Sequence, residues 1–82
     1  MKELLDRLTA AEKETERLEA LTDADPENES LDSQWDAAYK VEYNLYMAAS
    51  HKIVEVTAGK IDFNTAKAMV KTKRAELENL FA

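Results

Sequence analysis

Cysteine is absent from this chain of 82 residues, and glycine, proline, histidine and tryptophan occur once each. Each shortage closes a class of function. Without cysteine there is no disulfide framework and no thiolate zinc site, and a reducing cytoplasm is the expected location. A single glycine cannot build the glycine-rich loop that brings backbone N–H groups up to a phosphate. With no cysteine, and with His51 as the only histidine, nucleophilic catalysis lacks its parts. No apolar run approaches the ~18 residues of a membrane span. The opening stretch Met1-Lys2-Glu3-Leu4-Leu5-Asp6 is charged where a secretory leader has about 7–15 apolar residues. Neither enzyme activity nor a cofactor, metal or membrane is therefore expected.

What is present is helix-forming material. The chain is 45% apolar and 34% charged, too apolar for disorder and short enough to form a single domain near the lower limit for folding alone. Two interruptions divide it. In the first, Asp23 to Ser30, Pro26 cannot continue a helix and disfavours the α conformation at Asp25. Asn28 or Ser30 then caps the next helix, and Asp32 and Asp36 suit the positive end of its dipole. In the second, Ala58 to Asp62, Gly59 offers a left-handed residue where a helix ends, and Asp62 offers the next N-cap. Ile61, just ahead of that cap, is placed to staple onto Ala66. The spacing predicts helices over about 2–21, 31–58 and 63–80. Together they make an all-α, three-helix bundle with a long central helix, its second and third helices joined as an antiparallel hairpin.

The three helices differ in face. The first carries Leu4, Leu8, Ala11, Thr15 and Leu18 at a 3–4 spacing, with Met1 and Thr22 at its ends. This is a narrow seam, so the first helix is expected to be the most easily detached. The second holds eleven of the 24 large apolar side chains. At ~100° per residue, Leu31, Trp35, Ala38, Tyr39, Leu45, Tyr46, Ala49, Ile53 and Val56 share one broad face, with Trp35 largely buried. Tyr43, Met47 and Val54 form a further stripe, more than two neighbouring helices should cover. That surplus predicts a homodimer paired through the second helix, with those three residues at the contact. The core face of the third helix is Phe63, Ala66, Met69, Val70, Leu77 and Leu80. Glu42 and Lys73 interrupt these stripes. Each is expected to snorkel at the bundle edge, or else to enter a strained ion pair, with a catalytic or ligand-binding role as the remaining alternative.

Charge is uneven as well. Residues 1–30 carry ten Asp/Glu and four Lys/Arg, the whole net charge of −6, while residues 31–82 are neutral. Lys67, Lys71 and Arg74 fall at i, i+4 and i+7, a basic stripe on the outside of the third helix that suits phosphates. The bland account of the two charged helices is mutual attraction inside the fold. His51 and Glu55 make a His-x-x-x-Glu pair, two ligands short of a metal site and expected to be solvated. The function expected is that of a non-catalytic, protein–protein interaction or regulatory module with an unknown protein partner. The alternatives are a nucleic-acid-linked factor using the basic stripe, which the acidic balance makes the weaker reading, or an acidic inhibitor that imitates nucleic acid.

Overall fold

A computed structural model of the chain describes residues 2–80, and every element among the described residues is helical. There are four helices: α1 (Lys2–Ala24), α2 (Glu29–Val56), α3 (Phe63–Thr72) and α4 (Arg74–Leu80). Met1 and the side chain of Leu80, both placed in apolar stripes by the spacing, lie outside the described residues.

Capping explains the boundaries. Between α1 and α2 the chain turns through Asp25 to Asn28, and the Asn28 side chain accepts from the N–H groups of Ser30 (3.0 Å) and Leu31 (3.3 Å). Asn28 rather than Ser30 is therefore the cap, and α2 begins at Glu29. At its other end α2 stops at Val56, two residues before the expected end, because two consecutive residues are left-handed: Ala58 (φ 53°) and Gly59 (φ 81°). The Gly59 N–H donates to Val54 O at 3.0 Å and closes the helix end. Gly59 adopts this conformation freely, whereas Ala58 carries a strain of roughly 1–2 kcal/mol. Asp62 caps α3 by accepting from the Thr65 N–H at 2.7 Å. Hydrogen bonding from the Thr65 side chain, and then from its N–H, holds the Asp62 carboxyl below the usual range, so its contribution to stability is present above the ordinary aspartate pKa and lost as pH falls through the lowered one.

The third helix departs from expectation. It is not continuous to residue 80 but breaks at Lys73 (φ −128°, ψ 37°), without proline or glycine. Thr72 contributes: its hydroxyl donates back to Ala68 O at 2.8 Å, a bond that bends helices. Tertiary contact does the rest. Past the break α4 swings onto α1, burying Leu77 and setting Arg74 against Glu12. Lys73 is consequently exposed at the break and not part of an apolar stripe.

One contiguous core joins all four helices: Leu5 and Leu8 from α1, Ala49 and Ile53 from α2, Ala66 and Val70 from α3, and Leu77 from α4, all fully buried. Leu5 falls outside the 3–4 seam, yet it is buried because this end of α1 meets both α2 and α4. Ser50 was also missed as a core position; its hydroxyl donates to Tyr46 O at 2.9 Å, so burial leaves it satisfied. The most extensive helix–helix contact is that of α1 running along α2.

The molecule is elongated, 47 × 19 × 17 Å. At ~1.5 Å per residue α2 is about 42 Å long and α3 about 15 Å. The third layer therefore covers only the C-terminal half of α2. The other half is flanked by α1 alone, with Leu18 and Thr15 of α1 buried there. Trp35 is half-buried rather than enclosed, and Tyr39 and Val56 of the broad face are exposed.

Candidate functional site

Where α3 ends, α2 passes from three-helix packing to two-helix packing. A half-open groove of about 270 Å³ marks that step, lined by Leu8 and Glu12 of α1, by Tyr39, Glu42, Tyr43 and Tyr46 of α2, and by Lys71 of α3. The three tyrosines arise from spacing: i, i+4 and i+7 on one helix put their rings on neighbouring turns. Tyr46 is anchored, with its hydroxyl donating to Lys67 O at 3.2 Å. Tyr39 and Tyr43 are not; they are 45% and 49% exposed. Behind them the Trp35 ring stacks on Tyr39 with centroids 5.3 Å apart and planes 15° off parallel. The aromatic row thus continues out of the groove along the uncovered half of α2.

The residues singled out by sequence separate in space. Tyr43 lies at the groove and is open. Met47 is half-buried, and Val54 packs against the main core. The stripe Tyr43, Met47 and Val54 is thus not one open strip: Tyr43 is exposed, while Met47 and Val54 are half-buried. The open apolar area sits instead at Tyr39 and Tyr43. Tyr39 was assigned to the buried face, because periodicity cannot show that α3 stops short of it.

The basic stripe is also taken apart by the fold. Lys67 lies over the Phe63 ring, 5.2 Å from its centroid, and Lys71 lies over the Tyr46 ring at 5.4 Å. Arg74 turns away onto α1, with its guanidinium bonded to both Glu12 carboxylate oxygens, to Thr9 Oγ1 (3.2 Å) and to Val70 O (3.0 Å). Of the three bases, only Arg74 forms an ion pair with the acidic first helix among the described residues, and it does so from α4 rather than from α3. His51 is tilted against Phe63, centroids 4.6 Å apart, and Glu55 reaches Lys52 at 3.8 Å. Among the described residues no group of three or more metal-ligating side chains is assembled, and no helix is long and apolar enough to cross a membrane.

No protein-family model, curated protein or solved structure matches this chain. Unusual electrostatics collect at the groove. Glu42 reaches neither Lys73 nor any other cation within 4.0 Å among the described residues. Burial pushes its carboxyl above the usual range, the Glu12 and Glu16 charges add to that, and Thr15 and Arg74 pull the other way. The charged form is thus the disfavoured one in the fold. The group's contribution to stability is fully present below the ordinary glutamate pKa and is lost as pH rises through the raised value. Glu42→Gln, neutral throughout, is expected to raise the melting temperature at pH 7 and to change little below about pH 4. Thermal unfolding of both proteins across that range checks it, and an unchanged difference at every pH would rule out a charge effect.

Proposed function

We propose that this chain is a non-catalytic protein–protein interaction module, a small helical bundle that works in the cytoplasm through the open tyrosine face of α2. The observation that carries this reading is the pair Tyr39 and Tyr43, left open where α3 ends and continued by the half-buried Trp35 stacked on Tyr39. Tyrosine and tryptophan are the side chains that most often anchor interfaces, because they offer large contact area at small entropy cost. The nucleic-acid reading has less support. Of its three bases, Arg74 is bonded to Glu12, which leaves Lys67 and Lys71, each over an aromatic ring, as what remains of the stripe on α3.

Self-pairing through the same face is the second reading, favoured by the exposure of Tyr43. Like charge opposes it: residues 12–42 hold eleven acidic and three basic side chains, a net of −8. A two-fold pairing over this face would bring two such segments together.

The test uses two variants chosen for exposure. Tyr39→Ser/Tyr43→Ser should keep its helicity, since substitutions at exposed positions usually stay within about 0.5 kcal/mol. It should lose capture of native partners in pull-downs, whereas Lys67→Gln/Lys71→Gln should keep it. A gel-shift series on the wild type should show no binding that weakens steeply with salt. If the lysine variant is the defective one and nucleic acid binding appears, the reading is overturned. Light scattering at micromolar concentration decides between a single 9.3 kDa species and a dimer.

A further inference from the structure

We propose that the tyrosine groove is an anchoring site for a lysine or arginine side chain, presented by a basic amphipathic helix of another protein. This rests on the interaction reading and names its partner's chemistry.

Three observations converge on a cation. Tyr39, Tyr43 and Tyr46 line the groove, and aromatic faces attract cations through their negative quadrupole. The groove already holds one such contact, Lys71 against the Tyr46 ring at 5.4 Å, so a positive side chain is accommodated there. The groove also contains a carboxylate with no cation of its own. Glu12 is paired with Arg74, but Glu42 has no partner within 4.0 Å among the described residues. A part-buried charge without a counter-ion gains most from an arriving one.

Charge beyond the groove extends the same preference along the hairpin. Residues 12–42 carry a net −8, while the remainder of the chain has eight basic and six acidic side chains, a net of +2. The aromatic row runs along the negative half, which also carries Asp32 and Asp36 on α2 and Glu16 and Glu19 on α1. An occupant lying along it meets a strip of rings flanked by carboxylates. An apolar stripe flanked by Lys and Arg is the complement, and a helix presents such a stripe at its i, i+3, i+4 and i+7 positions. A second copy of this chain would bring its own acidic half to the same strip.

The test uses synthetic probes. One is a peptide of about five helical turns with Leu at the 3–4 spacing and Lys or Arg elsewhere. The second has the same composition with the leucines scattered, and the third replaces the bases by Glu. Titration calorimetry and Trp35 fluorescence follow binding, since the indole stacks directly on Tyr39. The amphipathic basic peptide should bind, and the scattered one at least tenfold more weakly. The acidic one should not bind. Tyr39→Ser/Tyr43→Ser and Glu42→Gln should each weaken the basic peptide by about tenfold or more. Glu3→Gln, which removes the same charge from the exposed first turn of α1, away from the groove and the acidic strip, should not. Equal affinity for the ordered and scattered peptides, or for wild type and the tyrosine variant, would reduce the effect to diffuse attraction and overturn the proposal. Absence of peptide binding, combined with a dimer that Tyr43→Ser dissociates, would overturn it too. In that case the face would still be a contact surface, with a second copy as its occupant.

Discussion

Ile53→Ala is expected to cost about 2–5 kcal/mol. Ile53 is fully buried at the centre of the cluster formed by Leu5, Leu8, Ala49, Ala66, Val70 and Leu77, where all four helices meet. Removing its outer carbons takes apolar area out of the core and leaves a cavity that helices on every side cannot close without losing other contacts. At roughly 0.05–0.15 kcal/mol per residue, a domain of this size has about 4–12 kcal/mol in total. The variant therefore loses a large share, and its melting temperature should fall by about 10 °C or more, since 1 kcal/mol corresponds to about 4–8 °C at this size. Ile53→Val should cost about 0.5–1.5 kcal/mol. Trp35→Ala should cost less than Ile53→Ala despite the larger side chain, because Trp35 is half-buried where only α1 and α2 pack. Urea unfolding of the three variants checks the order. A Trp35→Ala protein less stable than Ile53→Ala would place the main core at the wrong end of the molecule.

The second large effect is expected from Arg74→Ala. The Arg74 side chain is 22% exposed and its partner Glu12 34%. An exposed ion pair is worth about 0–1 kcal/mol, and breaking a fully buried one costs about 3–5. This pair lies between those limits, and the additional bonds to Thr9 and Val70 raise the loss, so about 1–3 kcal/mol is expected. The effect should be local as well as global. A helix of seven residues has no stability of its own, because isolated helices below ~12–15 residues are marginal. Without Arg74, Leu77 is the one side chain among the described residues of α4 that still lies in the buried core. Amide exchange in α4 should accelerate far more than in α2. Arg74→Lys should not restore protection, because an ammonium cannot grip both carboxylate oxygens of Glu12. Uniform exchange rates across α2 and α4 in the alanine variant, or full rescue by lysine, would show that the guanidinium does not hold α4 in place.

Much of the local structure was legible because it depends on near neighbours. Pro26, Asn28, Gly59 and Asp62 act on the backbone within a few residues, so the turns lie where these residues fall. Burial of Leu8, Leu18, Ala49, Ile53, Ala66, Val70 and Leu77 follows from helical periodicity alone. Periodicity does not reveal the burial of Leu5 and Ser50, nor the positions of Tyr39 and Arg74, for one shared reason. Each depends on which other helix stands beside it and for how far. Arg74 illustrates the difference: by spacing it belongs with Lys67 and Lys71, but after the break at Lys73 its helix points elsewhere.

The sequence by itself determined that the chain is helical, where its two main turns lie, and that an acidic segment sits in its first half. Those properties belong to residue types and to spacings of three or four along one chain. Tertiary structure alone decided that the third helix breaks, that Arg74 pairs with Glu12, and that the tyrosines at 39 and 43 remain open. α3 is too short to run the length of α2, and a long-range contact outweighs the small preference of Lys73 for continuing a helix.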